Sequence, residues 1–435
     1  MKRFTSILFT FLLLFVFSGF LYSCGKDNGE DNGGNEQKEK VTLTVWGAEN
    51  DQALLKEMCN EFAKANPEKE YKFLFGVQGE GDAADKVLND VTSGPDVFSF
   101  ASDQINKLIA GGALARIGGA NLEEVRSRDV EGAVDAATIT VNGEEQLYAY
   151  PMTGDNNYFV YYDKRVYKDA SQLASLEAML DTANAAGKKV HFKLNDDGWY
   201  LSSFFFTNPS LGYQVTYNEN MVEQSVSINY DSVEGLEVMK SLRTYLFHDA
   251  LVANTDDGKI IAAFTEADGK MEAAAAVTGV WNRRSIEELL GENMGVCKLP
   301  TAKISGQDVQ LSGYMGYKLI GVNGYSKNKA EAHKLALFLT NEANQFKRFQ
   351  VRGFGPTNKV VAAKSEVLSD PVIAVILEQA QYNRAQKGVP GNYWTPMGTL
   401  ITEIITAKAN GTEVTDQRLQ ELLDACCKAI RNEGE

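Results

Sequence analysis

Cysteine and histidine are scarce: five cysteines and three histidines serve 435 residues. Cys24 falls near the start, and the others are Cys59, Cys297, Cys426 and Cys427. That density is too low for a disulfide scaffold, and a bond between the adjacent Cys426 and Cys427 would be strained, so buried free thiols are expected. No Cys-x-x-Cys occurs, and His191, His248 and His333 lie far apart, so neither a metal site nor a cofactor is indicated. Positive charge is in deficit as well. Lys and Arg number 43 against 58 Asp and Glu, a net charge of −15. An acidic surface repels phosphate backbones and anionic lipid, which argues against nucleic acid as a partner and favours a neutral ligand. No internal repeat breaks the chain into equal units.

The N-terminus carries Lys2-Arg3, an apolar run over 4–22 and Cys24 after Leu21-Tyr22-Ser23. A charged start, an apolar core and a small residue before the cut read as a secretory signal over 1–23. It resembles a bacterial lipoprotein signal, which implies that Cys24 is lipidated and holds the chain to a membrane. An uncleaved membrane helix of about 19 residues is the alternative. Residues 25–40 hold no aliphatic or aromatic side chain, so 24–40 reads as a flexible, lipid-anchored tether. The chain from residue 41 onward is long enough for two domains with proper cores.

Residues 41–46 read as a strand, and 52–65 place Leu55, Met58, Cys59 and Phe62 at helical spacing. Strands at 71–75 and 97–100 alternate with a helix over 82–91, and Asp103 suits the cap of the next helix. This alternation predicts an α/β protein with a parallel sheet and helices on both faces. Ligands then sit beyond the carboxyl ends of the strands, which selects Trp46, Glu49 and Asp51 after the first strand and Phe100 and Asp103 after the third. Gly79-Glu80-Gly81-Asp82 opens a helix as a dinucleotide loop does, but its two carboxylates oppose a pyrophosphate. Residues 328–349 read as one long helix, and 416–430 close the chain as another.

Two strand-like stretches, 147–149 and 158–162, flank Pro151 and Gly154. The first lacks a ladder donor and the second permits unusual backbone angles, so an extended segment kinked at this point is expected. With Asp155, Asn156 and Asn157 at the bend, it suits a crossing between two lobes; a plain surface turn is the alternative. Trp46, Trp199, Trp281 and Trp394 each stand near Gly, Pro or Asp at a loop or strand end. Rings mixed there with carboxylates and amides suit a carbohydrate. Its C–H faces stack on indole, and its hydroxyls bond Asp, Glu and Asn at about 1.5–3 kcal/mol per charge-assisted bond.

Several pieces are more specific: Gly94-Pro95-Asp96 running on to Phe100 and Asp103, Leu147 to Pro151 with Asp155, Tyr162-Asp163-Lys164, and Gly279-Val280-Trp281. On these, the chain from about residue 41 onward resembles the bacterial extracellular solute-binding proteins, the group that includes the periplasmic maltose-binding protein. The resemblance implies a two-lobed, type II periplasmic-binding-protein fold with three hinge crossings. It puts lobe 1 at 41–153 plus 321–355 and lobe 2 at 156–318 plus 359–435. It sets Asp155 at a hinge acid, Phe100 at a tryptophan position and Asp103 at an aspartate position, with Gln104 replacing an arginine. Glu49 and Asp51 fall near an Asp-Lys pair without the lysine. Asp197 and Tyr200 fall near an acid and a tyrosine, Trp199 is extra, and Trp281 and Trp394 meet stacking positions; Asn156 lies beside the hinge acid.

The implied role is capture of an oligosaccharide, such as maltose or a maltodextrin, by lobe closure. A monomer on the extracytoplasmic face would deliver it to the membrane subunits of an ABC importer, with no catalysis. A glycan hydrolase using Asp155 with Asp197 or Asp103 is one alternative. A receptor for polyamines or peptides is another.

Overall fold

The computed structural model describes residues 38–253, 256–267 and 269–432. The expected signal at 1–23, Cys24 and the tether up to residue 37 lie outside them. Glu39 and Lys40, expected in the tether, instead begin the first strand, paired with Lys69 and Glu70. No helix among the described residues is long and apolar enough to cross a membrane.

The principal strands, in chain order, are β1 (Glu39–Gly47), β2 (Lys69–Val77), β3 (Val97–Ala101), β4 (Ala149–Asn156), β5 (Tyr158–Asp163), β6 (Lys189–Phe192), β7 (Leu251–Ala253), β8 (Ala273–Gly279), β9 (Met294–Cys297), β10 (Tyr314–Val322) and β11 (Arg384–Ala385). One sheet runs β11-β10-β3-β1-β2, with β4 also pairing β10; the other runs β7-β6-β8-β5-β9. The architecture is α/β, but the sheets are mixed rather than parallel throughout. β1 runs parallel to β2 and β3, whereas β10 is antiparallel to both β3 and β4. β5 opposes both of its neighbours, β8 and β9. The antiparallel members are the strands that bring the chain across from one sheet to the other.

The side-chain period of two explains the cores. In β5, Tyr158 and Val160 point into a cluster with Phe192, Phe204 and Leu242, while Phe159 and Tyr161 point into one with Ile260, Phe264 and Ile286. A strand covered on both faces has no polar side, so its sequence reads as a continuous apolar run. The first sheet has its own core, including Leu43, Phe62, Phe98, Phe100 and Leu335. β10 joins the two: Tyr314 lies in the second sheet's core, and Leu319, Ile320 and Val322 lie in the first's.

The expected kink is displaced. β4 runs unbroken through Pro151 and Gly154, and the chain changes sheets at Asn157. Pro151 and Gly154 leave a different trace, a register shift in the β4–β10 pairing. Gly154 N–H turns from the ladder to the Gly355 carbonyl at 2.9 Å. Thr357, a little further on, bonds the buried Asp129 carboxylate at 2.7 Å and the Gln345 amide. The expected long helix over 328–349 is two, Lys329–Leu339 and Glu342–Arg352. Asn341 breaks it by accepting the Asn344 N–H as an N-cap at 2.9 Å.

A hairpin of Tyr213–Tyr217 and Glu223–Ile228 rises from the second core, where Leu211 and Ile228 are rooted. Its turn bears Met221, with φ +60°, and Met221 is buried in the first sheet's core, with Tyr217 packed alongside.

Candidate functional site

Loops at the carboxyl ends of the strands surround a cleft of about 740 Å³. After β1 come Asn50 and Asp51; after β2, Gly79 to Asp82; after β3, Asp103 and Gln104. The second sheet contributes Lys193 and Asp196 to Tyr200 after β6, and Trp281 after β8. Both sheets therefore face the cleft in the manner expected of an open α/β sheet.

Three indoles share it: Trp199, Trp281 and Trp394. Trp199 and Trp281 lie 5.8 Å apart between ring centroids at 45°. Tyr158 supports Trp199 edge-on at 4.6 Å, and Tyr393 supports Trp394 at 5.1 Å. Glycine permits these placements. A Cβ on Gly279 would fall 2.2 Å from the Trp281 ring, so the indole folds back over its own strand end. A Cβ on Gly198 would meet Met397 and the Trp394 carbonyl, so helices Gly198–Phe205 and Trp394–Thr399 pack at their starts and bring two of the tryptophans close.

The polar wall is largely matched within itself. Asp51 takes Arg352 Nε at 2.8 Å and Arg348 at 3.4 Å. Asp197 caps its helix by accepting the Trp199 N–H at 3.0 Å, and Lys193 lies 3.2 Å from its other oxygen. Lys193 also lies 3.6 Å from Asp257, which accepts the Asn282 amide at 2.8 Å. Burial, partly offset by Lys193, raises the Asp197 carboxyl above its ordinary range. Tyr200 lines the cleft yet is almost wholly buried, and burial lifts its phenol well above the usual value.

Asp103 is held differently. Gln386 Nε2 donates to it at 2.9 Å, and the Trp394 side chain bonds it too. Burial outweighs these contacts and Lys107, and pushes the carboxyl up to about 6. The Gln386 carbonyl oxygen accepts from the Asn156 amide at 3.0 Å and from the Trp199 indole N–H at 3.1 Å. One carboxamide thus links an acid beside the first sheet, the crossing and a ring beside the second.

Of the residues the sequence selects, Asp51, Asp103, Asn156, Asp197, Trp199, Tyr200, Trp281 and Trp394 meet in this cleft. Four do not line it. Trp46 points to the other face of β1 from Val45 and lies over Gly76, whose Cβ would fall 2.3 Å from the indole. Phe100 is sealed in the first sheet's core, and Glu49 is exposed on the 3-10 turn beside Asp51. Asp155 points into the crossings, fully buried, where it accepts the Gly355 N–H; burial raises its carboxyl despite the nearby charge of Lys318. Sequence reasoning passes over Lys193, Asp257, Lys318, Arg352, Phe354 and Gln386, all of which line the cleft. A signal exists for Lys318, a lone cation amid the apolar residues of β10.

Against known proteins, the family profile for bacterial extracellular solute-binding protein matches residues 57–375. The chain is 24% identical over 421 residues to the galactooligosaccharide-binding protein of Bacillus subtilis, covering 94% of each. A structure solved with acarbose superposes with a TM-score of 0.78 at 32% identity, over 91% of this chain and 100% of that one. The maltodextrin-binding protein of L. casei BL23, solved without ligand, superposes with a TM-score of 0.71 at 21% identity, over 90% and 99%.

Proposed function

Because the chain belongs to the bacterial extracellular solute-binding proteins, we propose that it is the oligosaccharide-binding component of an ABC importer. The observation that carries this reading is the shared cleft of Trp199, Trp281 and Trp394, ringed by carboxylates and amides. Indole faces take the apolar faces of a pyranose, and the acceptors between them take hydroxyls. A ligand that touches residues beside both sheets favours a closed arrangement by its differential affinity, and no chemical step is needed. The ligand is a gluco- or galacto-oligosaccharide, in keeping with what the similar proteins bind. The protein works as a monomer on the extracytoplasmic face, held by a lipid on Cys24, and passes its cargo to the membrane subunits of the importer.

Five cleft acids sit within 4 Å of a cation: Asp51 with Arg352, Asp85 with Lys107, Asp197 and Asp257 with Lys193, and Glu80 with Lys318. Such pairing suits hydroxyl acceptors better than the free acid and base of a hydrolase. A thermal-shift and calorimetric panel of malto-oligosaccharides, galacto-oligosaccharides, polyamines and peptides tests the reading. Binding of an oligosaccharide without shortening of the chain is the expected result. Binding confined to polyamines or peptides, or release of shortened sugars at enzyme rates, would overturn it.

A further inference from the structure

Four cations line the cleft, and three are closely matched. Lys107 lies 2.8 Å from Asp85, Arg352 2.8 Å from Asp51 and Lys193 3.2 Å from Asp197. Lys318 is the exception. It rises from β10 at the cleft floor and is only 7% exposed. Its nearest carboxylate oxygen, Glu80 Oε2, is 3.9 Å away, beyond hydrogen-bond length. Among the described residues its ammonium donates no hydrogen bond. It rests instead against two rings, 4.8 Å from the Phe354 centroid and 5.5 Å from that of Trp281.

An ammonium with three donors and no protein acceptor at the wall of a cleft offers those donors to whatever occupies it. Glu80 lies on one side of the ammonium, and the buried Asp155 carboxyl of the crossing is also within its electrostatic reach. Glu80 is itself fixed, because Ser99 donates to its other oxygen at 3.1 Å. The gap between Nζ and Oε2 has a useful size. An oxygen about 2.8 Å from both ends subtends an angle of roughly 90°, which a hydroxyl tolerates when it accepts from one partner and donates to the other. Polar demand and apolar walls therefore meet at one spot, since Trp281 and Phe354 flank the gap.

Resting on the oligosaccharide reading above, we propose that Lys318 and Glu80 form a cradle for one sugar hydroxyl. Lys318 donates to its oxygen and Glu80 accepts its proton, while Trp281 takes the neighbouring C–H face. This makes Lys318 a specificity-determining residue, selecting a sugar unit whose hydroxyl projects into the floor from beside a stacked ring.

The experiment is calorimetric titration with whichever of maltotriose or a β-galactotriose the wild-type chain binds more tightly, alongside melting of each ligand-free variant. Lys318→Met is expected to weaken binding about tenfold or more, with the ligand-free melting temperature nearly kept. Glu80→Gln should weaken it less, and the double variant should lose less than the two single losses combined, because both act on one hydroxyl. Lys318→Arg keeps the charge with a different donor geometry; partial binding is expected, and it serves as the probe where the Met variant does not fold. Equal affinity in wild type and a folded Lys318 variant would overturn the cradle alone. Wild type that binds neither sugar would overturn the functional reading beneath it.

Discussion

The Asp155 carboxylate accepts the Gly355 backbone N–H at 2.6 Å, joining the β4 crossing to the later passage around Gly355. The bond is doubled by Gly154 N–H to the Gly355 carbonyl. Asp155 is thus a pin within the hinge rather than part of the cleft wall. Asp155→Ala strands a buried N–H and should cost about 1–3 kcal/mol of stability, while Asp155→Asn keeps an acceptor and should cost less. Urea denaturation of the two variants, with the ligand absent, checks the order.

The tryptophans divide sharply. Trp281→Ala removes a ring from the cleft and should weaken oligosaccharide binding by about 2 kcal/mol, roughly thirtyfold in Kd. Gly76→Ala pushes a methyl into the Trp46 indole and should lower stability while leaving affinity for the sugar unchanged. Titration and melting of both variants separate the two roles.

Asp103 carries a pH signature. Its folded-state pKa of about 6 stands above the ordinary 3.8 because burial disfavours the anion. Between those values the folded chain binds more protons than the unfolded one, so this group's contribution to stability falls as pH rises through the window and levels off above it. Asp103→Asn abolishes that contribution. The difference in urea midpoint between wild type and variant should therefore change from pH 4 to pH 6 and be flat from pH 7 to pH 8. Sugar affinity in the wild type should rise over the same window, as the carboxylate becomes a full acceptor.

Met221 reaches from a hairpin rooted in one core into the other. Met221→Ala should cost about 2 kcal/mol and loosen that contact. Small-angle scattering of the ligand-free chain should then show a larger radius of gyration than wild type.

Much of the architecture is legible in side-chain spacing. Helix Gln52–Ala65 and the closing helix Asp416–Ile430 stand where the apolar stripes put them, and β3 where its apolar run puts it. The site is legible only in part, because facing is finer than position. Trp46 and Val45 are neighbours on opposite faces of β1, and a position at a strand end does not say which face a ring takes. Asp155 and Asn156 differ by one residue, yet one turns into the hinge and the other into the cleft. Gln386 carries no local signal at all. It reaches the cleft because β11 pairs with β10 at Tyr314 and Met315, some 70 residues earlier. The break at Asn341 inside an unbroken apolar period is a case where a capping side chain overrides periodicity.

β10 lies between β3 and β4 yet is made roughly 200 residues after β3. A nascent chain therefore carries β1, β2 and β3 as an unfinished half-sheet until most of its length has left the ribosome, and loop closure over that distance is slow. The first sheet therefore gains its central antiparallel strand, and β4 its partner, only when a late segment of the chain arrives.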